Sequence, residues 1–261
     1  MVALSVIIPH HDAPERLLPR LASLEQALAR AAAASEIIVI DDHLPEPARK
    51  RLQAGLASFP KVRYLALSSG AGVESAIAAG VQLAQHDALL IFDACGYSPG
   101  CVERMAQRLA RHDLVCGVRR ATGWRKFLIR LLAAPQRLCG GPARDTGCHV
   151  WAARREALCA MPIERGRLTW LPTLIARAGY RVGESPIDWN SDERGVWPVG
   201  RTRWLQVAHA WWSAPRAAAA LTADTCGAMP EGVRIDAAHP LAGPAAIGRT
   251  ETATRPERIQ R

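Results

Sequence analysis

No stretch of the 261-residue chain approaches the roughly 18 to 20 apolar residues that a membrane-spanning helix requires, so any membrane contact is expected at the surface. Its seven cysteines (Cys95, Cys101, Cys116, Cys139, Cys148, Cys159 and Cys226) are odd in number and form no Cys-x-x-Cys pair. That argues against both a zinc knuckle and a closed disulfide framework, and reduced thiols of a cytoplasmic protein are the natural reading. The opening run MVALSVIIPHHD lacks the positive start and small-residue cleavage site of a signal peptide, and reads as a first strand. No internal repeat is visible, and no nucleic-acid motif accompanies the basic charge. Acidic residues are missing from 119 to 144, where seven Lys or Arg stand.

What is present is ordinary globular composition, 49% hydrophobic and 22% charged, with a formal charge of +9 that attracts anionic partners. Short apolar runs alternate with segments of helical period, which predicts an α/β fold: a Rossmann-like, mostly parallel sheet flanked by helices on both faces. Strands are expected over 4–9, 36–43, 62–67, 88–94 and 113–118, with a further one in YRVGESPIDW. Asp12 to Glu15 has the form of a capping box before Leu17, Leu21, Leu24 and Leu28, while Pro19 predicts a kink or a later helix start. Ligands of open α/β sheets bind beyond the carboxyl ends of the strands, where Asp41, Asp42 and Asp93 all fall.

The basic run from Arg119 to Arg144 is interleaved with Trp124, Phe127, Leu128, Ile129, Leu131 and Leu132. Two readings stand for this segment: an interfacial helix with its apolar face in lipid, or a helix packed on the core with a solvated basic face. Beyond Ser213 the chain turns Ala-, Pro- and Gly-rich, so one body over 1–212 and a disordered tail over 213–261 are expected. His10, His11 and His43 have no metal-site spacing and read as loop or surface histidines.

In order, LSVIIPHHDAPERL, EIIVIDD, AGVESAIAAGVQLA, ALLIFDACGYSP, LVCGVRR, DTGCHVWAARREAL and GYRVGESPIDWNSDERG resemble the family 2 glycosyltransferases of GT-A fold, over about residues 4 to 200. The branch they are most similar to is the dolichyl-phosphate mannose synthase type. The resemblance implies that Pro9, His11, Asp12, Asp41 and Asp42 bind the donor nucleotide. It also implies that Asp93 holds Mg²⁺ or Mn²⁺ as the first residue of a D-x-D whose second Asp is here Cys95. Gly117-Val118-Arg119 matches the family's Gly-x-Arg, so Arg119, Arg125 and Lys126 are implied in holding the acceptor phosphate. Asp145 and Asp93 are the implied catalytic carboxylates, and Arg194 belongs to a late loop expected near phosphate. Asp145 read on its own is equally a turn residue pairing with a nearby arginine, and Arg194 a surface charge.

The implied reaction is inverting transfer of a sugar from a nucleoside-diphosphate donor to a polyprenyl phosphate at the inner face of the cytoplasmic membrane, the protein being peripheral there. A phosphate monoester, with a second pKa near roughly 6, is already largely ionised at neutral pH and needs no strong base. Arginines that orient two anions suffice, and the run from 119 to 144 supplies them. The alternative is a catalytically silent relative that binds nucleotide or lipid for a partner.

Overall fold

A computed structural model of the chain describes residues 2–11, 14–68, 70, 72–161, 163, 168–189 and 235–236. Eight strands form one sheet in the order β7-β5-β6-β4-β1-β2-β3-β8. They are β1 (Val2–His10), β2 (Ala32–Asp41), β3 (Val62–Leu67), β4 (Ala88–Ile91), β5 (Leu114–Arg119), β6 (Trp151–Arg154), β7 (Val182–Ile187) and β8 (Ile235–Asp236). The helices are α1 (Pro14–Ala31), α2 (Glu46–Leu56), α3 (Val73–Leu83), α4 (Val102–Arg108), α5 (Gly123–Leu138), α6 (Arg155–Cys159) and α7 (Leu171–Arg177).

β1 lies between β2 and β4, parallel to both, so the order of connection reverses there, and open α/β sheets take their ligands beyond the carboxyl ends of the strands at such a point. β6 runs antiparallel between β4 and β5, which is why the run DTGCHVWAARREAL departs from the βα alternation around it. β8 adds antiparallel to β3, pairing Ile235 with Leu67 and Asp236 with Ala66. The rest of the 213–261 segment expected to be disordered lies outside the described residues, as does the loop containing Arg194.

Alternation along β1 sets the two cores. Leu4, Val6 and Ile8 pack with Leu17, Leu21, Leu24 and Leu28 of α1 on one face, while Ile7 packs with Ile77 and Val81 of α3 on the other. Because both faces are covered, the strand reads as a continuous apolar run. α1 begins at Pro14 and carries Pro19 inside it, so of the kink or later start expected there the later start does not hold. A proline there costs roughly 3 kcal/mol. Burying four leucines at about 1.5–3 kcal/mol each outweighs that.

Candidate functional site

The carboxyl end of β1 is flanked on both sides by strand-end carboxylates. His10 is in register with Asp41 of β2, and its carbonyl accepts the Asp42 N–H at 2.9 Å. On the other side Phe92 N–H bonds the carbonyl of Ile7 at 3.0 Å, which delivers Asp93 to the opposite flank of the same strand end. The side-by-side placement expected of Asp41, Asp42 and Asp93 therefore follows from sheet order. Pro9 is buried in β1 and His11 is exposed just past it, whereas Asp12 and Arg194 lie outside the described residues.

Asp41 and Asp42 are adjacent but differently engaged. Asp41 is fully buried: it accepts from Leu44 N–H at 2.6 Å, Arg49 Nε at 3.0 Å and the Tyr64 hydroxyl at 2.5 Å. Burial, and then the hydrogen bond to Asp41, push the Tyr64 phenol far above its ordinary value, so it stays a donor. Asp42 is half-buried and accepts from Gly72 N–H at 3.1 Å. Gly72 has φ 89°, a left-handed conformation that favours glycine, at the entrance to α3. His43, at φ 64°, turns the chain just after them. Asp41 thus shapes the loop, and Asp42 is the carboxylate on its open side.

The second group of residues sits at the end of β5. Arg119 Nε and Nη2 each bond an oxygen of Asp145 at 2.7 Å, and Arg119 N–H adds a third contact at 3.1 Å. Both side chains are buried, 8% and 1% exposed. Burial alone would push the guanidinium down; the bonds and charge of Asp145 outweigh it and hold Arg119 firmly protonated. The ring of Trp189 covers the other side, with the guanidinium carbon 5.2 Å from its centre. Gly117 makes this approach feasible: a Cβ there would meet Ile187 Cδ1 at 2.8 Å and Cys148 Sγ at 2.9 Å, so only glycine lets the 145–150 segment pass this close to β5.

Tyr97 joins the two groups. It is buried, and its backbone bridges Trp189. Burial pushes the phenol well up, and Cys148, Asp145 and Asp93 act in the same direction against Arg119. Burial likewise raises the Cys148 thiol, so both Tyr97 and Cys148 stay neutral beside the Arg119–Asp145 ion pair. Asp145 acts through Arg119, the pairing that its reading as a turn residue anticipates.

Sequence reasoning did not single out Arg49, Tyr64, Cys148 or Trp189. Arg49 and Tyr64 reach Asp41 from 8 and 23 positions along the chain, and nothing local marks them. Gly117, inside a strand, was the one signal that another segment passes close by. In α5, Lys126, Arg130 and Arg137 are exposed, and so are Phe127 (69%), Leu131 (52%) and Leu138 (84%), while Ala133 and Gln136 are buried. The helix therefore both packs on the body and presents an apolar stripe beside a basic one. The side chain of Arg125 lies outside the described residues.

The implied divalent cation does not fit the donor set. Asp93 is 2% exposed, and its Oδ1 accepts from Cys95 N–H at 3.0 Å and Gly96 N–H at 3.1 Å, so Oδ2 is the single carboxylate oxygen the turn itself could offer. Cys95 offers a soft thiol where a hard cation needs oxygen. Among the described residues no three His, Cys, Asp or Glu side chains gather as a metal site.

Residues 5–158 match the model of glycosyl transferase family 2. The undecaprenyl-phosphate 4-deoxy-4-formamido-L-arabinose transferase of Pseudomonas paraeruginosa is 32% identical over 178 residues, covering 65% of this chain and 52% of that one. Its counterpart from Sodalis glossinidius is 30% identical over 199 residues, 73% of this chain and 61% of that one. The chain thus spans little more than half the length of these curated relatives. The structure of glucosyl-3-phosphoglycerate synthase from Mycobacterium tuberculosis, with Mn²⁺, UDP-glucose and phosphoglyceric acid, superposes with a TM-score of 0.64 at 16% identity, covering 84% of this chain and 80% of that one. The same synthase has also been solved with Mg²⁺ and UDP. Strand order, the carboxylates around β1 and the match over residues 5–158 agree: the chain belongs to glycosyl transferase family 2 and has the GT-A fold.

Proposed function

We propose that the chain is an inverting glycosyltransferase that moves a sugar from a nucleoside-diphosphate donor to a polyprenyl phosphate, working as a peripheral protein at the cytoplasmic face of the membrane. The observation that carries this reading is the pairing of the carboxylate-flanked end of β1 with a basic, acid-free helix that exposes Phe127, Leu131 and Leu138 beside Lys126, Arg130 and Arg137. The relatives named for an undecaprenyl-phosphate acceptor support it. No helix among the described residues is long and apolar enough to cross a membrane, so contact through α5 would be interfacial. Each Lys or Arg near an anionic surface contributes about 1 kcal/mol.

In the proposed step an acceptor phosphate oxygen forms a bond to the anomeric carbon as the bond from that carbon to the donor diphosphate breaks, and the nucleoside diphosphate leaves with the electron pair. Asp42 and His11 face the donor nucleotide; Asp12 and Arg194 are proposed to join them. Arg119, held by Asp145 and Trp189, fixes the loop end of β5, and Lys126 with Arg125 draws in the acceptor phosphate. The ionised acceptor requires no base. The Mg²⁺ or Mn²⁺ expected at Asp93 has no part in this step, because the turn does not fit it.

The test is transfer of labelled sugar from UDP- and GDP-sugars to a short polyprenyl phosphate, read as label in the lipid phase. Labelled lipid is the expected result. The second reading, a silent relative, draws on Cys95 and the closed Asp93 turn; nucleotide binding without labelled lipid from any donor would favour it.

A further inference from the structure

We infer that the Asp93–Ala94–Cys95 turn holds no divalent cation and that a nucleoside diphosphate binds at these strand ends without one. This rests on the proposed nucleotide site, and it separates this chain from solved neighbours whose complexes contain Mn²⁺ or Mg²⁺.

The turn is closed from both ends. Asp93, Ala94, Cys95 and Tyr97 are all buried, at 2%, 1%, 2% and 4% exposure. Asp93 Oδ1 is engaged by the two amide N–H groups that shape the turn, which leaves Oδ2 as the single carboxylate oxygen the turn could turn toward a cation. Mg²⁺ and Mn²⁺ take oxygen ligands, and the residue two positions on presents sulfur. The nearby carboxylates are committed elsewhere. Both oxygens of Asp145 hold Arg119, and both oxygens of Asp41 hold groups of their own loop and helix. Asp41 and Asp145 could reach a cation at Asp93 only by breaking these bonded pairs, and Asp42 accepts from Gly72 N–H at the end of β2, across β1 from the turn.

The charge of a diphosphate then falls to cations of the chain. Arg120 lies just past the end of β5, where its pair with Asp188 at 3.4 Å is exposed on both sides (61% and 59%) and open to competition from a diphosphate, and the exposed Lys126, proposed above to meet the acceptor phosphate, lies at the same end of the sheet. Preorganised cations can stabilise a leaving diphosphate as a metal does, provided they stay in place as charge develops. They bind it more weakly in salt, so affinity should fall as ionic strength rises.

Calorimetric titration of the full chain with UDP and with GDP, in EDTA and in Mn²⁺, tests the inference. The expected result is a Kd that differs by less than about threefold between the two buffers, under 0.7 kcal/mol by the relation of Kd to free energy. Tightening of about tenfold or more in Mn²⁺ would overturn it. A folded Cys95→Asp protein, checked by circular dichroism, is expected to acquire Mn²⁺-dependent binding; if it stays indifferent to Mn²⁺, the loss cannot be assigned to this turn. Should neither nucleotide bind in either buffer, the nucleotide reading fails separately. Electron paramagnetic resonance of Mn²⁺ added to the wild-type chain then decides: an undiminished free-ion signal upholds the inference, and a loss of signal reversed by Asp93→Asn overturns it.

Discussion

The two ends of the sheet both carry buried carboxylates held by arginine, yet they use them differently. At the amino end Glu36 of β2 accepts from the Ser5 hydroxyl of β1 at 2.6 Å, Arg63 of β3 at 2.8 Å and the Gln85 N–H at 2.6 Å. These partners belong to neighbouring strands and the end of α3, so the carboxylate braces regular elements. At the carboxyl end Asp41, Asp42 and Asp93 accept N–H groups of Leu44, Gly72, Cys95 and Gly96, all of them loop residues. There the carboxylates shape loops, and loops on a rigid sheet are where ligands bind.

An opening in the surface does not by itself mark a site. A cleft of about 920 Å³ opens at the amino end beside Val2, Ala3, His86, Arg154 and Arg155. Its arginines are already spent: Arg155 donates to the carbonyls of Val81, Ala84 and His86, and Arg154 pairs with Asp113 at 3.5 Å. The comparison teaches that the state of the polar groups, rather than the size of the opening, marks the site.

Substitutions sharpen this contrast. Arg119→Ala strands the Asp145 carboxylate in a buried position and should cost about 3–5 kcal/mol in urea unfolding, the largest effect expected here. Adding Asp145→Ala should recover part of that loss, since the pair couples directly. Tyr64→Phe removes one hydrogen bond to the buried Asp41 and should cost about 1.5–3 kcal/mol. Asp42→Asn should instead leave unfolding within about 0.5 kcal/mol of wild type. Its effect belongs in nucleotide affinity, weakened roughly tenfold, or about 1.4 kcal/mol. Equal stability losses at Asp41 and Asp42 would erase the distinction drawn between them.

The amino end supplies the smallest effect and a pH signature. Burial raises the Glu36 carboxyl, but the bonds from Ser5, Gln85 and Arg63 together outweigh it and leave it below the ordinary carboxylate range. A depressed folded value means the stabilisation is complete above the unfolded value near about 4.3 and is lost as pH falls through the folded value. Glu36→Gln should therefore flatten the acid limb of a stability–pH curve, cost about 1 kcal/mol at neutral pH and leave nucleotide affinity unchanged. A change in affinity would tie this end to binding after all.

Much of this was readable in the sequence where local rules govern. Apolar runs mark the parallel strands, and the same runs put Asp41, Asp42 and Asp93 at strand ends. What pattern could not give was pairing at a distance. The antiparallel β6 breaks the βα rhythm, β8 returns from residues 235–236, and α2 carries few apolar residues to mark it. The roles within the site were hidden for the same reason. Asp41 and Asp42 are identical in type and adjacent, and only Arg49 and Tyr64, brought in by α2 and β3, separate the buried one from the half-open one. The resemblance of Gly117-Val118-Arg119 to a Gly-x-Arg implied a phosphate ligand at Arg119, whereas the fold supplies Asp145 as its partner from 26 positions away.

Hydrogen–deuterium exchange with and without nucleoside diphosphate tests the central claim, that ligand gathers at the carboxyl ends of the strands, most directly. The account predicts added protection in the loops that follow β1, β2 and β4 and at Gly72, with residues 85–88 and 154–160 around the opposite cleft unchanged. Protection confined to that cleft, with the strand-end loops indifferent to nucleotide, would contradict it.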